Sequence, residues 1–150
     1  MKTLKVYFYY WFASLFFILL VLYFFNSDDA VIDINIHDTY YVIKNYALSE
    51  SLAIYFALIG FIYWLFSIDK IQIIVFLKET HTLLTLGLIP IYFIGYFLLD
   101  RVIESKFLLF DETSKLNLFI TILVIVFIVS QLLFILNIIL STAKHFTRKN

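Results

Sequence analysis

Residues Val6 to Phe25 read VYFYYWFASLFFILLVLYFF and contain no charged side chain. A helix needs about 20 residues to cross the apolar core of a bilayer, and this run has that length. Within lipid the run must be helical, because an open strand would leave backbone N–H and C=O groups without partners. We expect the segment to be retained, since Phe24-Phe25-Asn26-Ser27 lacks the small-residue pattern of a cleavage site.

Three further apolar segments have spanning length, at about residues 46–66, 81–99 and 116–141. The whole chain is 63% hydrophobic and 15% charged, whereas soluble domains are about half apolar and a quarter charged. Lipid must therefore be the solvent for much of this surface. The sequence predicts an all-α integral membrane protein, a bundle of four transmembrane helices forming one membrane domain over residues 1–150.

The basic residues are distributed unevenly among the connecting segments. Seven of the 11 Lys and Arg residues lie in the N-terminal segment, the 67–80 loop and the C-terminal tail. Cytoplasmic loops of membrane proteins carry such an excess, so both termini are predicted to be cytoplasmic. Richness in Ile, Phe, Tyr, Asn and Lys suggests a bacterial gene and hence a bacterial cytoplasmic (inner) membrane. The formal net charge is zero, which gives no basic patch for nucleic acid.

The loop between the first two spans has a pattern of its own. Ile32, Ile34 and Ile36 alternate with polar residues, a period of two that indicates a short extended segment with one buried face. We predict that this segment lies outside the hydrocarbon, on the extracytoplasmic side.

The same loop contains the most specific motif of the chain, Asp33-Ile34-Asn35-Ile36-His37-Asp38-Thr39-Tyr40-Tyr41-Val42-Ile43. It resembles the motif D-x-x-x-H-D-T-Y-[YF]-V-[VI] of subunit I of the haem–copper (cytochrome c or quinol) oxidases. Weaker likenesses follow at Gly60–Phe66 and at Lys78–His81. Span order and loop lengths are similar to the last four helices of that subunit, so the resemblance covers nearly the whole chain.

The chain departs from the family where the oxidase chemistry resides. In the family, two histidines just after the motif ligate the haems, whereas here the sequence continues Lys44-Asn45-Tyr46-Ala47. Only three histidines are present, His37, His81 and His145, and an oxidase centre needs more imidazoles than these at matching depth. Cysteine is absent. The sequence therefore does not favour an enzyme, and we expect no haem or copper site within this chain.

His37 and Asp38 are the candidate metal ligands. The resemblance implies a magnesium or manganese site, since the matching pair of the oxidases contributes to one with a carboxylate from a partner subunit. Hard divalent cations prefer carboxylate oxygen and water, and manganese also accepts imidazole. Adjacent residues of a strand point to opposite faces, so the pair needs a turn to share one ion. The alternative is that both side chains only hydrogen-bond the loop to the helix ends.

Other polar and aromatic residues have structural interpretations. We expect His81 at the membrane interface, His145 in a solvated tail, and Tyr40 and Tyr41 as interfacial anchors. Amides within membrane helices usually face other helices, and Gln131 is the predicted contact residue of the fourth span.

These observations lead to a functional prediction with two alternatives. The sequence indicates a non-catalytic multi-pass membrane protein, structural or accessory, that contacts lipid and either other membrane subunits or further copies of itself. The first alternative is an electron-transfer component that binds haem only with a partner chain. The second is a divalent-cation-binding membrane protein that uses the acidic outer loop.

Overall fold

The computed structural model describes residues 5–24, 31–36, 39–104 and 110–147. Within these ranges the chain is mainly helical, with four helices and one two-stranded antiparallel sheet. The elements in chain order are α1 (Val6–Phe24), β1 (Val31–Ile36), β2 (Thr39–Lys44), α2 (Asn45–Ile68), α3 (Val75–Glu104) and α4 (Phe110–Thr147).

Three segments of the described residues are long and apolar enough to cross a membrane. They are Val6–Tyr23 in α1, Asn45–Ile68 in α2 and Leu118–Thr147 in α4. Each segment is long enough to cross the hydrocarbon layer of a bilayer, and this is the pattern of a membrane protein. The span predicted over residues 81–99 lies within α3, and its crossing of the bilayer stays a prediction.

The chain divides into two compact units, Met1–Lys70 and Ile71–Asn150. The first unit contains α1, the sheet and α2, and the second contains α3 and α4. Each unit is a pair of packed helices. The single membrane domain expected over residues 1–150 stays a prediction.

In the first unit, α1 and α2 pack through side chains spaced alternately three and four residues apart. This spacing keeps one stripe of each helix facing its neighbour along the whole contact. The stripes consist of Tyr10, Ser14 and Phe17 on α1, and Ser49, Ala53, Phe56, Gly60 and Tyr63 on α2, all of them buried. Ile59 of α2 is buried beside its stripe. The Phe17 and Phe56 rings stack with centroids 5.5 Å apart, and the Ser14 hydroxyl donates a 2.8 Å hydrogen bond to the Ala53 carbonyl.

Gly60 allows α1 to approach α2 closely. A Cβ atom at position 60 would meet the Trp11 ring and the Tyr10 side chain. The indole of Trp11 therefore lies directly over the glycine, where any larger residue would push the helices apart.

The sheet is a β-hairpin in which β1 and β2 pair in antiparallel register from Val31↔Lys44 to Ile36↔Thr39. The extended segment predicted around Ile32–Ile36 is therefore confirmed as strand β1. Its pairing with residues 39–44 was not expected, because Tyr40 to Ile43 form a continuous apolar run without alternation. The β2 strand leads directly into α2, whose first residue is Asn45.

In the second unit both helices extend beyond the predicted apolar spans. The α3 helix begins at Val75 rather than near residue 81, and α4 continues to Thr147 rather than ending near residue 141. The added turns carry Lys78, Glu79 and Lys144. Charged side chains end an apolar run without ending a helix, since Lys and Glu are good helix formers.

Lys70 marks the boundary between the units and has an unusual backbone conformation. It follows Asp69, the C-cap residue of α2, and has a φ angle of 53°. A glycine normally occupies this left-handed position after a helix, because a Cβ atom is strained there. The conformation ends α2 after the Asp69 amide has donated to the Leu65 carbonyl.

Candidate functional site

The most concentrated group of buried polar side chains lies between α3 and α4. We call it the polar seam; it consists of His81, Thr85, Ser130, Gln131, Asn137 and Ser141, with the backbone N–H of Ile74. All its side chains except that of Gln131 are no more than 1% exposed. The seam occupies the N-terminal half of α3 and the C-terminal half of α4, at one end of this antiparallel pair.

Spacing along the helices brings these residues together. Position 74, just before α3, and positions 81 and 85 of α3 lie on one stripe, and positions 130, 134, 137 and 141 of α4 lie on another. Phe134 completes the α4 stripe and is also buried. Further along, the Phe119 ring packs against Gly95, so the contact between the helices becomes apolar there.

Thr85 and Ser130 connect the two helices by their hydroxyl groups, with the oxygens 3.0 Å apart. The Ser130 hydroxyl donates to the Phe127 carbonyl at 2.7 Å, so Thr85 must be the donor in the bond between the two side chains. Ser130 also accepts a 2.8 Å bond from the Gln131 amide. Its one proton and both lone pairs are then used.

His81 is fully buried against α4, and its expected depth at the membrane interface stays a prediction. Its ring stacks on that of Phe134 with centroids 4.9 Å apart. It also forms a side-chain hydrogen bond with Gln131. The Gln131 Nε2 atom donates to the Phe127 carbonyl and to Ser130, which leaves the Gln131 Oε1 atom to accept from the imidazole.

Asn137 and Ser141 bind the start of α3. The Ile74 N–H donates to Asn137 Oδ1 at 3.2 Å and to Ser141 Oγ at 3.3 Å, and Ser141 donates to the same Oδ1 atom at 3.1 Å. A backbone N–H can only donate, so this contact fixes which amide atom of Asn137 is the oxygen. The Asn137 Nδ2 atom is buried and has no hydrogen-bond partner among the described residues.

The chemistry of the polar seam is that of helix association. Ser130 donates one hydrogen bond and accepts two, and its neighbours hold it in this arrangement. In an apolar environment, hydrogen bonds between helices stabilise the pair because the alternative is an unpaired polar group. The seam therefore attaches α4 to α3 in a defined register.

Part of the polar seam could be predicted from the sequence. Gln131, the predicted contact residue of α4, does bond to residues at the α3 interface, whereas Thr85 and Ser141 were missed. Neutral hydroxyl residues do not stand out in an apolar helix, because Ser and Thr can donate a hydrogen bond to a backbone carbonyl of their own helix. The available signal was their spacing, since positions 130, 134, 137 and 141 repeat at intervals of four and three.

The predicted metal ligands, His37 and Asp38, lie outside the described residues, and their role stays a prediction. Within the described ranges, no group of three or more His, Cys, Asp or Glu side chains is placed to hold a metal ion. His145 was expected in a solvated tail, but it lies within the last turns of α4, half-buried and in ring contact with Phe146. Tyr41 is half exposed on β2.

Comparisons with models of protein families, with curated proteins and with solved structures each found no match.

Proposed function

We propose that this chain is a non-catalytic, multi-pass membrane protein with a structural or accessory role. The observation that supports this role is the polar seam, whose buried hydrogen-bonding groups join α3 to α4. Polar groups deep in a membrane protein are energetically unfavourable, and they usually occur at functional sites. Here the same groups are used for packing between two helices.

In this proposal all four helices cross the bilayer and both termini are cytoplasmic. The uneven distribution of Lys and Arg supports this orientation, and it places the hairpin of β1 and β2 on the extracytoplasmic side. The bacterial cytoplasmic membrane is the proposed location, on the basis of the residue composition.

The outer surfaces of the helices support contact with lipid and with other membrane helices. On α4, nearly all the exposed large side chains are aliphatic; they include Ile125, Ile128, Leu132, Ile135 and Ile139. Aliphatic surface of this kind is compatible with acyl chains and with neighbouring apolar helices alike. The resemblance to subunit I of the haem–copper oxidases supports a partner among respiratory membrane subunits, or a second copy of the chain.

Purification from native membranes tests the proposal. The tagged chain is extracted in mild detergent and in lipid nanodiscs, and its mass, haem content and associated proteins are measured. We expect an assembly larger than the 17.8 kDa chain, without haem bound to this chain alone. A strictly monomeric protein in both media would contradict the accessory role, and a Soret band from the isolated chain would favour the haem-binding alternative.

A second candidate is a divalent-cation site at His37 and Asp38, which the resemblance to the oxidase motif supports. Carboxylate oxygen is a ligand that Mg²⁺ and Mn²⁺ prefer, and manganese also accepts imidazole. Mg²⁺ or Mn²⁺ should raise the thermal stability of the chain, and the double substitution His37→Ala with Asp38→Ala should abolish that increase. An equal increase in the double variant would refute this candidate.

A further inference from the structure

One end of the α1–α2 pair is covered by aromatic side chains. We call it the aromatic end; it consists of Tyr7, Phe8, Trp11, Phe61 and Trp64. Its rings form a connected group. The distance between ring centroids is 5.1 Å for Tyr7 and Trp11, 6.5 Å for Trp11 and Trp64, and 5.6 Å for Trp64 and Phe61. Phe8, Trp11 and Phe61 remain 36–47% exposed. The rings therefore present a surface to the surroundings as well as packing on one another.

Two exposed lysines flank this surface. Lys5 comes immediately before α1, and its Nζ atom lies 5.8 Å from the centre of the Tyr7 ring. Lys70 follows the last turn of α2, which ends beside the start of α1 because the two helices are antiparallel. Among the described residues at this end, Asp69 is the acidic neighbour. The ammonium groups thus outnumber the carboxylates beside the exposed rings.

We propose that the aromatic end, with Lys5 and Lys70, is a contact site for anionic phospholipids. Tyr and Trp rings favour the headgroup level of a bilayer, where they meet both acyl chains and water. Lysine side chains extend along apolar surface and place their charge among the headgroups. A lipid with a net negative headgroup can contact the aromatic rings and also attract the lysines, whereas a zwitterionic lipid offers only the contact with the rings. The inference rests on the proposed placement of α1 and α2 across a bilayer.

The two tryptophans make this site directly observable. Trp11 and Trp64 are the only tryptophans in the chain, and both belong to the aromatic end. Their fluorescence therefore reports the lipids beside this site. The full chain is reconstituted in phosphatidylcholine vesicles that contain equal small fractions of either brominated phosphatidylglycerol or brominated phosphatidylcholine, with bromine near the top of the acyl chain.

We expect the anionic brominated lipid to quench more strongly than the zwitterionic one. The apparent local enrichment should be about five-fold, because each lysine near the surface contributes about that factor and Asp69 offsets one of the two. Salt should reduce the difference, since it screens exposed charges. The double substitution Lys5→Gln with Lys70→Gln should remove the preference for the anionic lipid and leave quenching by the zwitterionic lipid unchanged.

Lys44→Gln is a matched control. Lys44 is also exposed and its Nζ atom lies 5.5 Å from the centre of the Tyr46 ring, but it precedes α2 at the opposite end of the helix. This variant should keep the preference for phosphatidylglycerol. A loss equal to that of the Lys5 and Lys70 variant would show a general charge effect and overturn the site.

The two proposals fail in different ways. Equal quenching by both brominated lipids would refute the anionic site while showing that the aromatic end lies in the bilayer. Quenching by neither lipid would refute the membrane placement of α1 and α2, and the lipid site with it.

Discussion

The buried side-chain amide of Asn137 accepts a hydrogen bond from a backbone N–H group that is distant in the sequence. The first N–H groups of a helix have no hydrogen-bond partner within that helix. Side chains close to the start of the helix usually accept hydrogen bonds from them. For α3, the side chains that bind the Ile74 N–H come from α4. The amide of Asn137 therefore links the packing of α4 to the point at which α3 begins.

Replacement of Asn137 by alanine should weaken this link. Ile74 would keep only the longer bond to Ser141, and the loss of a buried hydrogen-bond partner typically costs about 1–3 kcal/mol. We expect faster hydrogen exchange at the first amides of α3 and a lower free energy of unfolding in detergent. Ser141→Ala should cost less, because Asn137 Oδ1 still accepts from Ile74. Equal effects of the two substitutions would contradict this division of roles.

Among the helices, close contact depends on a few small residues. Gly60 lies beneath the Trp11 ring, whereas a Cβ atom at position 87 would meet no side chain of the described residues within 4 Å beyond its immediate neighbours. The two glycines therefore have different roles, although both lie within helices of similar composition.

Gly60→Ala should destabilise the α1–α2 pair, because the added methyl group collides with Trp11 and overpacking costs about 1–3 kcal/mol. Gly87→Ala is the control and should stabilise α3 by up to about 1 kcal/mol, the difference in helix propensity between the two residues. Thermal unfolding in one detergent compares them. A change in thermal stability of the same sign in both variants would show that the contact with Trp11 does not control how closely the helices approach.

Thr85 and Ser130 provide a direct test of the polar seam. A double-mutant cycle with Thr85→Val and Ser130→Ala should give a coupling energy of about 0.6–1.7 kcal/mol, the range of hydrogen bonds between membrane helices. Thr82→Val is the control on α3, since residue 82 lies off the stripe formed by positions 81 and 85. Its coupling to Ser130→Ala should be near zero, and a coupling as large as that of Thr85 would place the interaction elsewhere.

The elements that could be predicted from sequence are those set by composition. The α1 and α2 bounds lie within two residues of the apolar segments predicted for them, because an apolar run of about 20 residues has one stable form in lipid. The β2 strand was missed because its pairing depends on β1 rather than on its own pattern. Similarly, Thr85 and Ser141 belong to the polar seam through contacts between helices, and a single helix carries little sign of such contacts.

At the level of the whole molecule, the chain consists of two helical pairs, each held by its own buried contacts. In the first pair these contacts are mainly aromatic, as in the stack of Phe17 on Phe56, and in the second they are largely polar. The metal prediction at His37 and Asp38 came from a resemblance to a family, and no contact of the described residues bears on it. The burial of His81 could not be predicted from the sequence, because charged residues lie close to it in the chain.

Single cysteines can test the proposed orientation, because the natural chain has none. Glu50→Cys and Asp69→Cys remove the same charge at exposed positions near opposite ends of α2. In intact cells, a membrane-impermeant maleimide should label residue 50 and should label residue 69 only after the cells are permeabilised. Protection of residue 50 with labelling of residue 69 would reverse the orientation inferred from the basic residues.

The bonds between Ile74 and α4 also bear on how the protein is made. The two side chains that hold the Ile74 amide follow it by 63 and 67 residues. A ribosome synthesises about 5–20 residues per second, so several seconds separate the start of α3 from the residues that complete it. During that interval the Ile74 amide must find other hydrogen-bond partners, such as water.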